Sequence, residues 1–574
     1  MNDETPNDGI EQGKRLIRQG GSGGLSLAER VSERFRRMVW KSPLHALRLR
    51  GRHPLKLVAV PDDPFVGDVR RGNALLDGKI TFRGDSVAIA DLDFTRNDWS
   101  KSLSDHIHGF AWLRDLSTVA TRSVGVPVAE TIMRAWLDAH ADKVGEPAWT
   151  PELWGRRVLH WTAHAPLILS SSDLVYRSKV LNTLARGARH LDRSADKAPA
   201  GVARVAAWCG VICAGLLIPG GDPRRQIGED GLENAIDTAV HEDGGVISRA
   251  PLAQVDIVML LVMLREAYAA RRLGPPPAVA AALGRMVPAL QGVCLGDHGL
   301  SSWQGGGPVR GDRIDEIIAA SGVRARPLRQ GRDWGYQRLT QGDAVVIVDA
   351  GPPPVSRLME GGCASTLAFE MSDGGERLVV NCGGARAAIV QIPTALAEGL
   401  RTTAAHSTLV VGDSNSTAIH VDGTLGRGVG EVEQARQESS GASRLEASHD
   451  GYARRFGFLH RRQLILAQDG GELRGDDMLL PAGRRRKVGT IPFAIRFHLG
   501  AGVEAAPTAD GMAALLRLPS GKLWQFRCRG GVLAIEESLW VDPDGRPVAT
   551  QQLVVSGEAA AGGENIGWAL KRAT

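Results

Sequence analysis

Tyrosine is almost missing from this chain, with four residues in 574: Tyr176, Tyr268, Tyr336 and Tyr452. Chemistry that needs a phenol to carry a proton has few positions to draw on. Cysteine is sparse too. The six thiols, Cys209, Cys213, Cys294, Cys363, Cys382 and Cys528, form no C-x-x-C pair, which excludes a disulfide framework and makes reduced thiols the expectation. No long uncharged apolar run occurs. Val202 to Ile218 contains Arg204 and several small residues and stops at Pro219-Gly220-Gly221, which predicts a buried helix and no transmembrane segment. The polar, acidic opening Met1-Asn2-Asp3-Glu4 lacks the basic start and apolar core of a secretory signal, so the expected location is cytoplasmic. Gly306-Gly307 and Gly383-Gly384 match neither a phosphate loop nor a dinucleotide fingerprint, so no nucleotide cofactor is expected. No nucleic-acid-binding module is recognisable, which argues against a nucleic-acid partner.

A chain of 574 residues exceeds one hydrophobic core and predicts several domains. The net charge of +5 is modest, but the basic residues are mostly arginine, whose planar fork suits carboxylate and sulfate groups. Residues 1–25 are polar and glycine-rich, and disorder is expected there. Residues 26–104 read as an N-terminal extension packed on the next domain. Within it, seven basic residues from Arg34 to Arg52 interleave with Phe35, Met38, Trp40 and Leu44, the pattern of a basic amphipathic helix broken by Pro43.

Residues 105–330 read as helical, with segments at 111–123, 127–141, 151–169, 174–191, 201–217, 253–273 and 277–294, several opened by proline (Pro127, Pro151). Consecutive helices joined by Gly, Pro and Asp turns predict a bundle or an incomplete α/α toroid. No 20-to-50-residue repeat is evident by eye. Residues 331–574 change to short β-branched runs, among them 344–349, 366–371, 378–382, 407–411, 462–467, 493–499, 513–518, 522–527 and 551–555, separated by glycine and aspartate turns. This spacing predicts an antiparallel β-sandwich. The expected fold class is α+β multidomain: toroid first, sandwich second.

The stretch from Cys363 to His406 has the outline of a metal-bearing hairpin. Leu367, Phe369 and Met371 alternate with Ala368 and Glu370, the period of a strand with one buried face. Taking Ser372 to Glu376 as the turn pairs Met371 with Arg377, and Leu367 with Asn381. Cys363 and Asn381 then lie four residues apart on one face, about 13 Å at strand rise, too far to share an ion without a bulge or another register.

These segments, in their order, resemble the heparinase II/III family, whose lyases join an α/α toroid to a β-sandwich. The resemblance rests on Asp243-Gly244-Gly245 after a run of helices, the strand at 366–371, Ala405-His406-Ser407-Thr408, and His449-Asp450-Gly451-Tyr452 followed by His460-Arg461-Arg462. It covers about Trp99 to the C-terminus. It implies β-elimination on a uronic-acid glycan and a zinc ion in the β-domain held by His, Asp and His. At those positions this chain has Cys363, Asn381 and His406, so zinc is implied only weakly, with those three as candidate ligands. The family's Ser-Pro-x-Tyr-His element corresponds to Ala250-Pro251-Leu252-Ala253-Gln254, which has no tyrosine.

β-Elimination needs a neutraliser for the substrate carboxylate, a base for the C5 proton and an acid for the leaving oxygen. The candidates are Arg249 or His406 as neutraliser and His241 or Tyr452 as proton-transfer group. Trp112, Trp161, Trp303, His449 and Arg461 are candidate substrate contacts, with Trp99 and Trp154 as further sugar-stacking aromatics. His190 and Arg204 are weaker candidates, and Arg484-Arg485-Arg486-Lys487 reads as a solvated basic loop. The expected activity is a polysaccharide or oligosaccharide lyase, with a catalytically degenerate glycan-binding protein as the alternative. The expected partner is an acidic polysaccharide or oligosaccharide, and a homodimer is possible on the same reading.

Overall fold

The computed structural model describes residues 10–11, 13–19, 40, 42–51, 54–95, 98–355, 361–385, 390–439, 441–483 and 489–573. Five of the seven basic residues between Arg34 and Arg52, and the run Arg484 to Lys487, lie outside the described residues. The helical half is followed by a sheet-rich half, as the change in texture after residue 330 predicts.

The helical half is organised around Val202–Leu217, an almost wholly apolar helix buried along most of its length. It packs against Pro151–Ala163, Asp222–Asp237 and Pro251–Ala270. Glycines set how closely these helices approach. A Cβ on Gly155 would lie 2.0 Å from the Ala206 carbonyl oxygen, and one on Gly210 would lie 2.5 Å from the Gly155 Cα. The helix Asp222–Asp237 escapes the sequence reading because it is polar and carries two internal glycines. Gly231 lies against the indole of Trp208, which a Cβ would approach to 2.5 Å, so it serves close packing rather than a turn. The helix expected to open at Pro127 begins earlier, at Arg122, because a proline near a helix start removes only one backbone bond.

Trp112 and Trp161, predicted to touch sugar, belong to the core of this half with Trp136 and Trp154, all at most 1% exposed. Three of these indoles surround the buried guanidinium of Arg157, which sits 4.2 Å from the Trp136 ring, 4.3 Å from Trp154 and 6.0 Å from Trp161. Its N–H groups donate to the carbonyl oxygens of His108 and Ala148. The tryptophans therefore hold a buried cation in place of a ligand.

Two loops, one after Asp222–Asp237 and the other after Pro277–Gly292 with the helix Pro251–Ala270 between them, share one geometry, 54 residues apart by sequence number. In the first, His241 N–H donates to Gly245 O and Gly245 N–H to Asp243 Oδ1. In the second, Leu295 N–H donates to Gly299 O and Gly299 N–H to Asp297 Oδ1. Gly244 and His298 occupy the matching left-handed positions, at φ 86° and 60°. This repeat is invisible by eye because only Asp and one Gly coincide. Both loops reach the sheets. Asp243 Oδ2 accepts from the Asp333 and Trp334 N–H groups at 2.8 Å, and Asp297 accepts from Arg377 at 2.8 and 3.2 Å.

The sandwich consists of a nine-stranded and an eight-stranded antiparallel sheet. In the smaller sheet the order is Val532–Val541, Pro547–Ala559, Ile491–Leu499, Glu376–Val380, Phe369–Asp373, Ala344–Asp349, Tyr336–Gln341, with Leu409–Val411 also pairing to Ile491–Leu499. Several strands of the larger sheet, such as Glu431–Glu438 and Glu472–Pro481, escape the sequence reading because one face is solvated and carries charge. The hairpin register also differs from expectation. Met371 opposes Val379 rather than Arg377, a bulge follows Met371, and the turn shrinks to Gly374-Gly375. Within the segment expected to be disordered, Gly13–Arg18 forms a strand on Glu431–Glu438 at the edge of the larger sheet. Ion pairs Lys14–Glu433, Arg15–Asp333 and Arg18–Glu431 accompany it. Among the described residues no helix is long and apolar enough to cross a membrane.

Replacing Gly231 with alanine forces a methyl into Trp208 and is expected to cost roughly 1–3 kcal/mol. At the exposed Gly284 a Cβ would meet nothing within 4 Å, and the same substitution is expected to gain roughly 0.5–1 kcal/mol. Thermal melting of the two variants checks the contrast, and a Gly231→Ala protein as stable as the parent would contradict the close packing.

Candidate functional site

A cleft of about 2710 Å³ opens in the helical half. One part of its wall comes from the N-terminal extension and the first helices, through Asp68, Arg71, Phe82, Trp99, His106 and Asp115, with Trp40 at the rim. Another comes from the start of Pro151–Ala163 and from Pro251–Ala270, through Glu152, Arg156, Asp256 and Met263. Gln304, Gly361 and Thr424 carry the lining toward the sandwich. Trp40 and Trp99 are half-buried, unlike the tryptophans of the core, and each leaves part of its indole to the cleft, whereas the Phe82 ring is covered by the guanidinium groups of Arg71 and Arg83 and by a stacked histidine.

The cleft is not a cationic groove. Carboxylates and Lys or Arg side chains line it in near-equal number, and most of the cations already have anionic partners. Arg71 donates to Asp115 at 2.7 and 3.0 Å. Arg156 lies 3.2 Å from Glu152 and 3.5 Å from Asp256, and Arg313 pairs with Glu316. His106 stacks on Phe82 at 4.3 Å and sits 3.8 Å from Asp115. Burial pulls its pKa down to about 4, against the opposing pull of Asp115.

Behind the wall lies a cluster built around Asp63. Its Oδ2 accepts from Arg114 Nε at 2.7 Å and contacts His164 Nε2 at 3.0 Å, and its Oδ1 accepts from the Phe65 N–H at 3.2 Å. Burial opposes ionisation of Asp63, but the hydrogen bonds from His164 and Arg114 and the charge of Arg114 hold it well below the usual carboxylate range. His160, one helical turn before His164, is 6% exposed, and burial keeps its ring neutral. Sequence reading missed this cluster, although the i, i+4 histidine pair was visible.

None of the four residues expected to carry chemistry lines the cleft. Arg249 is buried at the junction with the sandwich. Its Nε donates to Trp334 O at 2.7 Å, its Nη1 to Gly351 O and Pro352 O at 3.1 and 2.7 Å, and its Nη2 to Asp349 Oδ1 at 2.5 Å. Its donors are committed to this clamp, so it cannot neutralise a substrate. His406 is 1% exposed, and its Nδ1 is 2.7 Å from Thr402 O. Burial lowers its pKa, against a weaker opposing pull from Asp349. His241 is half-buried in the first loop, and burial lowers its pKa against Asp243 and Asp333. Tyr452 is 1% exposed and donates to Leu409 O at 2.8 Å. Burial pushes its phenol above the ordinary range, away from proton transfer near neutrality.

The remaining candidates also hold structure. His449 Nε2 meets His460 Nδ1 at 3.2 Å, and His460 Nε2 meets Asp477 at 2.7 Å, in a network completed by Arg462 and Trp568. Arg461 lies on the sheet beside Glu446, 3.8 Å away. Trp303 is 1% exposed and donates to Ser301 Oγ. His190 is buried between Trp149 O and His45. Arg204 does line the cleft.

With an amide oxygen in place of a carboxylate, Cys363, Asn381 and His406 make a poor donor set for zinc, and their described hydrogen bonds are all within the protein. The Cys363 sulfur accepts from the Gly305 N–H at 3.0 Å. Asn381 Oδ1 accepts from the Ser407 N–H at 3.0 Å, while its Nδ2 donates to Ser302 O and Glu370. What the structure does bring together is Arg249, Ser365 and Asp349, with the Ser365 hydroxyl 2.7 Å from Asp349 Oδ2 and Tyr336 donating to Arg249 O. Gln304 joins this buried cluster to the cleft, contacting Ser365 Oγ and the Cys363 N–H.

A family model described as "Heparinase II/III-like, C-terminal" matches residues 323–569. FtsZ-localized protein C of Caulobacter vibrioides (strain NA1000 / CB15N) is 30% identical over 545 residues, covering 92% of each chain. Among solved structures, a heparinase III superposes with a TM-score of 0.67 at 12% identity over 96% of this chain and 93% of that one. A mutant of the heparan sulfate lyase HepC from Pedobacter heparinus gives a TM-score of 0.62 at 14% identity over 89% and 86%. At such identities the two structures speak to the fold alone.

Glu370 lies at the same seam, fully buried, accepting on Oε1 from the Ser302 and Asn381 N–H groups, while Oε2 has no hydrogen-bond partner among the described residues. Burial raises its carboxyl to about 7, against the opposing charge of Arg377. A raised carboxyl binds its proton more tightly in the folded state, so stability falls as pH rises from about 4.5 through 7 and levels off above. The whole change is at most on the order of 3 kcal/mol. Glu370→Gln is expected to flatten this part of the pH–stability profile, measured by urea unfolding between these limits. An unchanged slope would show that Glu370 is already ionised when folded.

Proposed function

We propose that this chain, which belongs to the heparinase II/III-like family, binds a glycan in the cleft of its helical half and retains it without cleaving it. The observation that carries this reading is the separation of the cleft from the elimination candidates. The half-buried indoles of Trp40 and Trp99 line the cleft, while His241, Arg249, His406 and Tyr452 do not. The four tyrosines of the chain are also absent from its described lining. Aromatic faces beside hydrogen-bonding side chains suit sugar rings. Because most of the lining cations are already paired with carboxylates, a densely sulfated chain would have to break those pairs. A glycan with few charges, or with charges of both signs, fits better.

The curated relative is named for its localisation with FtsZ. Its 30% identity over 92% of both chains supports placing this chain in the same surroundings.

Binding is tested with a panel of neutral, zwitterionic and uronic-acid oligosaccharides, following tryptophan fluorescence and, in parallel, the ultraviolet absorbance of an unsaturated uronate. The expected outcome is saturable binding with no unsaturated product, weakened about tenfold or more by Trp99→Ala, since a stacked aromatic contributes about 1 kcal/mol or more beyond its buried area. Growth of the unsaturated chromophore would establish a lyase instead, and failure of every glycan to bind would remove the reading. For localisation, a fluorescent fusion imaged with labelled FtsZ is expected to coincide with it, and a diffuse signal throughout the cell cycle would contradict that placement.

A further inference from the structure

We propose that Asp63, His160 and His164 form a binding site for a divalent transition-metal ion of the zinc class, set into the wall of the cleft. The three side chains each offer a ligand atom, and these atoms lie within 4.8 Å of one another. Two come from one helical turn, His160 in the helix Pro151–Ala163 and His164 as its C-terminal cap. An i, i+4 pair of histidines on one helix face is a spacing that chelates zinc. The third, Asp63, arrives from a segment about a hundred residues earlier, so the fold assembles the set.

Two further observations point to a ligand. His160 is more than nine-tenths buried, and its Nδ1 has no hydrogen-bond partner among the described residues, an arrangement that is unfavourable for a buried polar atom unless something binds it. Second, Asp63 Oδ2 and His164 Nε2 are 3.0 Å apart, close to the separation of two donors on a tetrahedral ion with bonds of about 2.0–2.2 Å. In the metal-free protein a proton lies between them, and the ion replaces it.

Arg114 donates to the same carboxylate at 2.7 Å. Its charge disfavours a cation, but its bond fixes the carboxylate in place, as outer hydrogen bonds do for metal ligands. His160 and Arg114 line the cleft. With three protein ligands, an ion of this class keeps a fourth position for an outside ligand; on the glycan-binding reading proposed above, that ligand is a sugar hydroxyl or carboxylate. The site lies in the helical half, apart from Cys363, Asn381 and His406.

The test uses the full chain stripped with a chelator and titrated with Zn²⁺ by calorimetry and with Co²⁺ by visible absorption. One equivalent is expected to bind, with the intense d–d bands of a four-coordinate site, and to raise the melting temperature as a ligand specific to the folded state does. His160→Gln and His164→Gln are each expected to weaken Zn²⁺ binding at least tenfold, while His298→Gln, at an exposed histidine on another loop, leaves it unchanged. Circular dichroism checks that each variant is folded. Should one histidine variant fail to fold, the other and the Co²⁺ spectrum of the parent still decide. Absence of stoichiometric binding to the parent, or binding equal in His160→Gln and His298→Gln, would overturn the proposal.

Discussion

The two halves of this protein are held in register by one buried cation. Arg249 leaves the helical half at a left-handed backbone position, φ 55°, and ends among the carbonyl oxygens of Trp334, Gly351 and Pro352 and the carboxylate of Asp349, its guanidinium 4.8 Å from the centre of the Tyr336 ring. A buried pair of this kind adds little net stability over an apolar contact, but losing one partner costs about 3–5 kcal/mol because the other charge is stranded. The contact is therefore close to all-or-none. Asp243 beside it adds a second tie, to the turn at Asp333 and Trp334, and Asp297 in the matching loop a third, to Arg377 in the strand Glu376–Val380. Gln304 and Gly361, at the cleft's edge toward the sandwich, inherit their positions from this seam.

The same economy of buried cations recurs in the helical half. Arg157 has no carboxylate partner among the described residues. Carbonyl oxygens and indole faces take its charge, which uses up tryptophans that would otherwise be free to meet a sugar. The faces left for a ligand come from the rim and the extension, at Trp40 and Trp99. One stretch thus supplies both a wall of the cleft and its aromatic contacts.

The order of domains was legible because it follows from periodicity, which a chain displays openly: apolar residues at helical spacing through the first half, β-branched alternation through the second. Strands such as Glu431–Glu438 were not legible, since polar residues occupy even the inward positions, at Gln434 and Arg436. The candidate site was legible only in fragments. Burial decides whether an arginine neutralises a substrate or clamps a backbone, and burial is a property of the assembled fold. Arg249, His406 and Tyr452 have the right chemistry in the wrong surroundings. Trp99 and Arg204 were noticed and do line the cleft, whereas Asp63 gives no sign of its role until the fold sets it beside His164.

The strand Gly13–Arg18 precedes every helix in the sequence yet pairs with Glu431–Glu438, so the chain leaves the sandwich, builds the helical half and returns. During synthesis this strand is made before the helical half, and its partner appears more than 400 residues later. Pairings that span so much chain form late, because the closure entropy of the intervening loop is lost before they gain anything. Until then the outer edge of the larger sheet stays open to any other extended chain. The strand thus sets an order of events: made before the helical half, it is among the last pieces to be seated, and once seated it covers Glu431–Glu438 and becomes the edge itself.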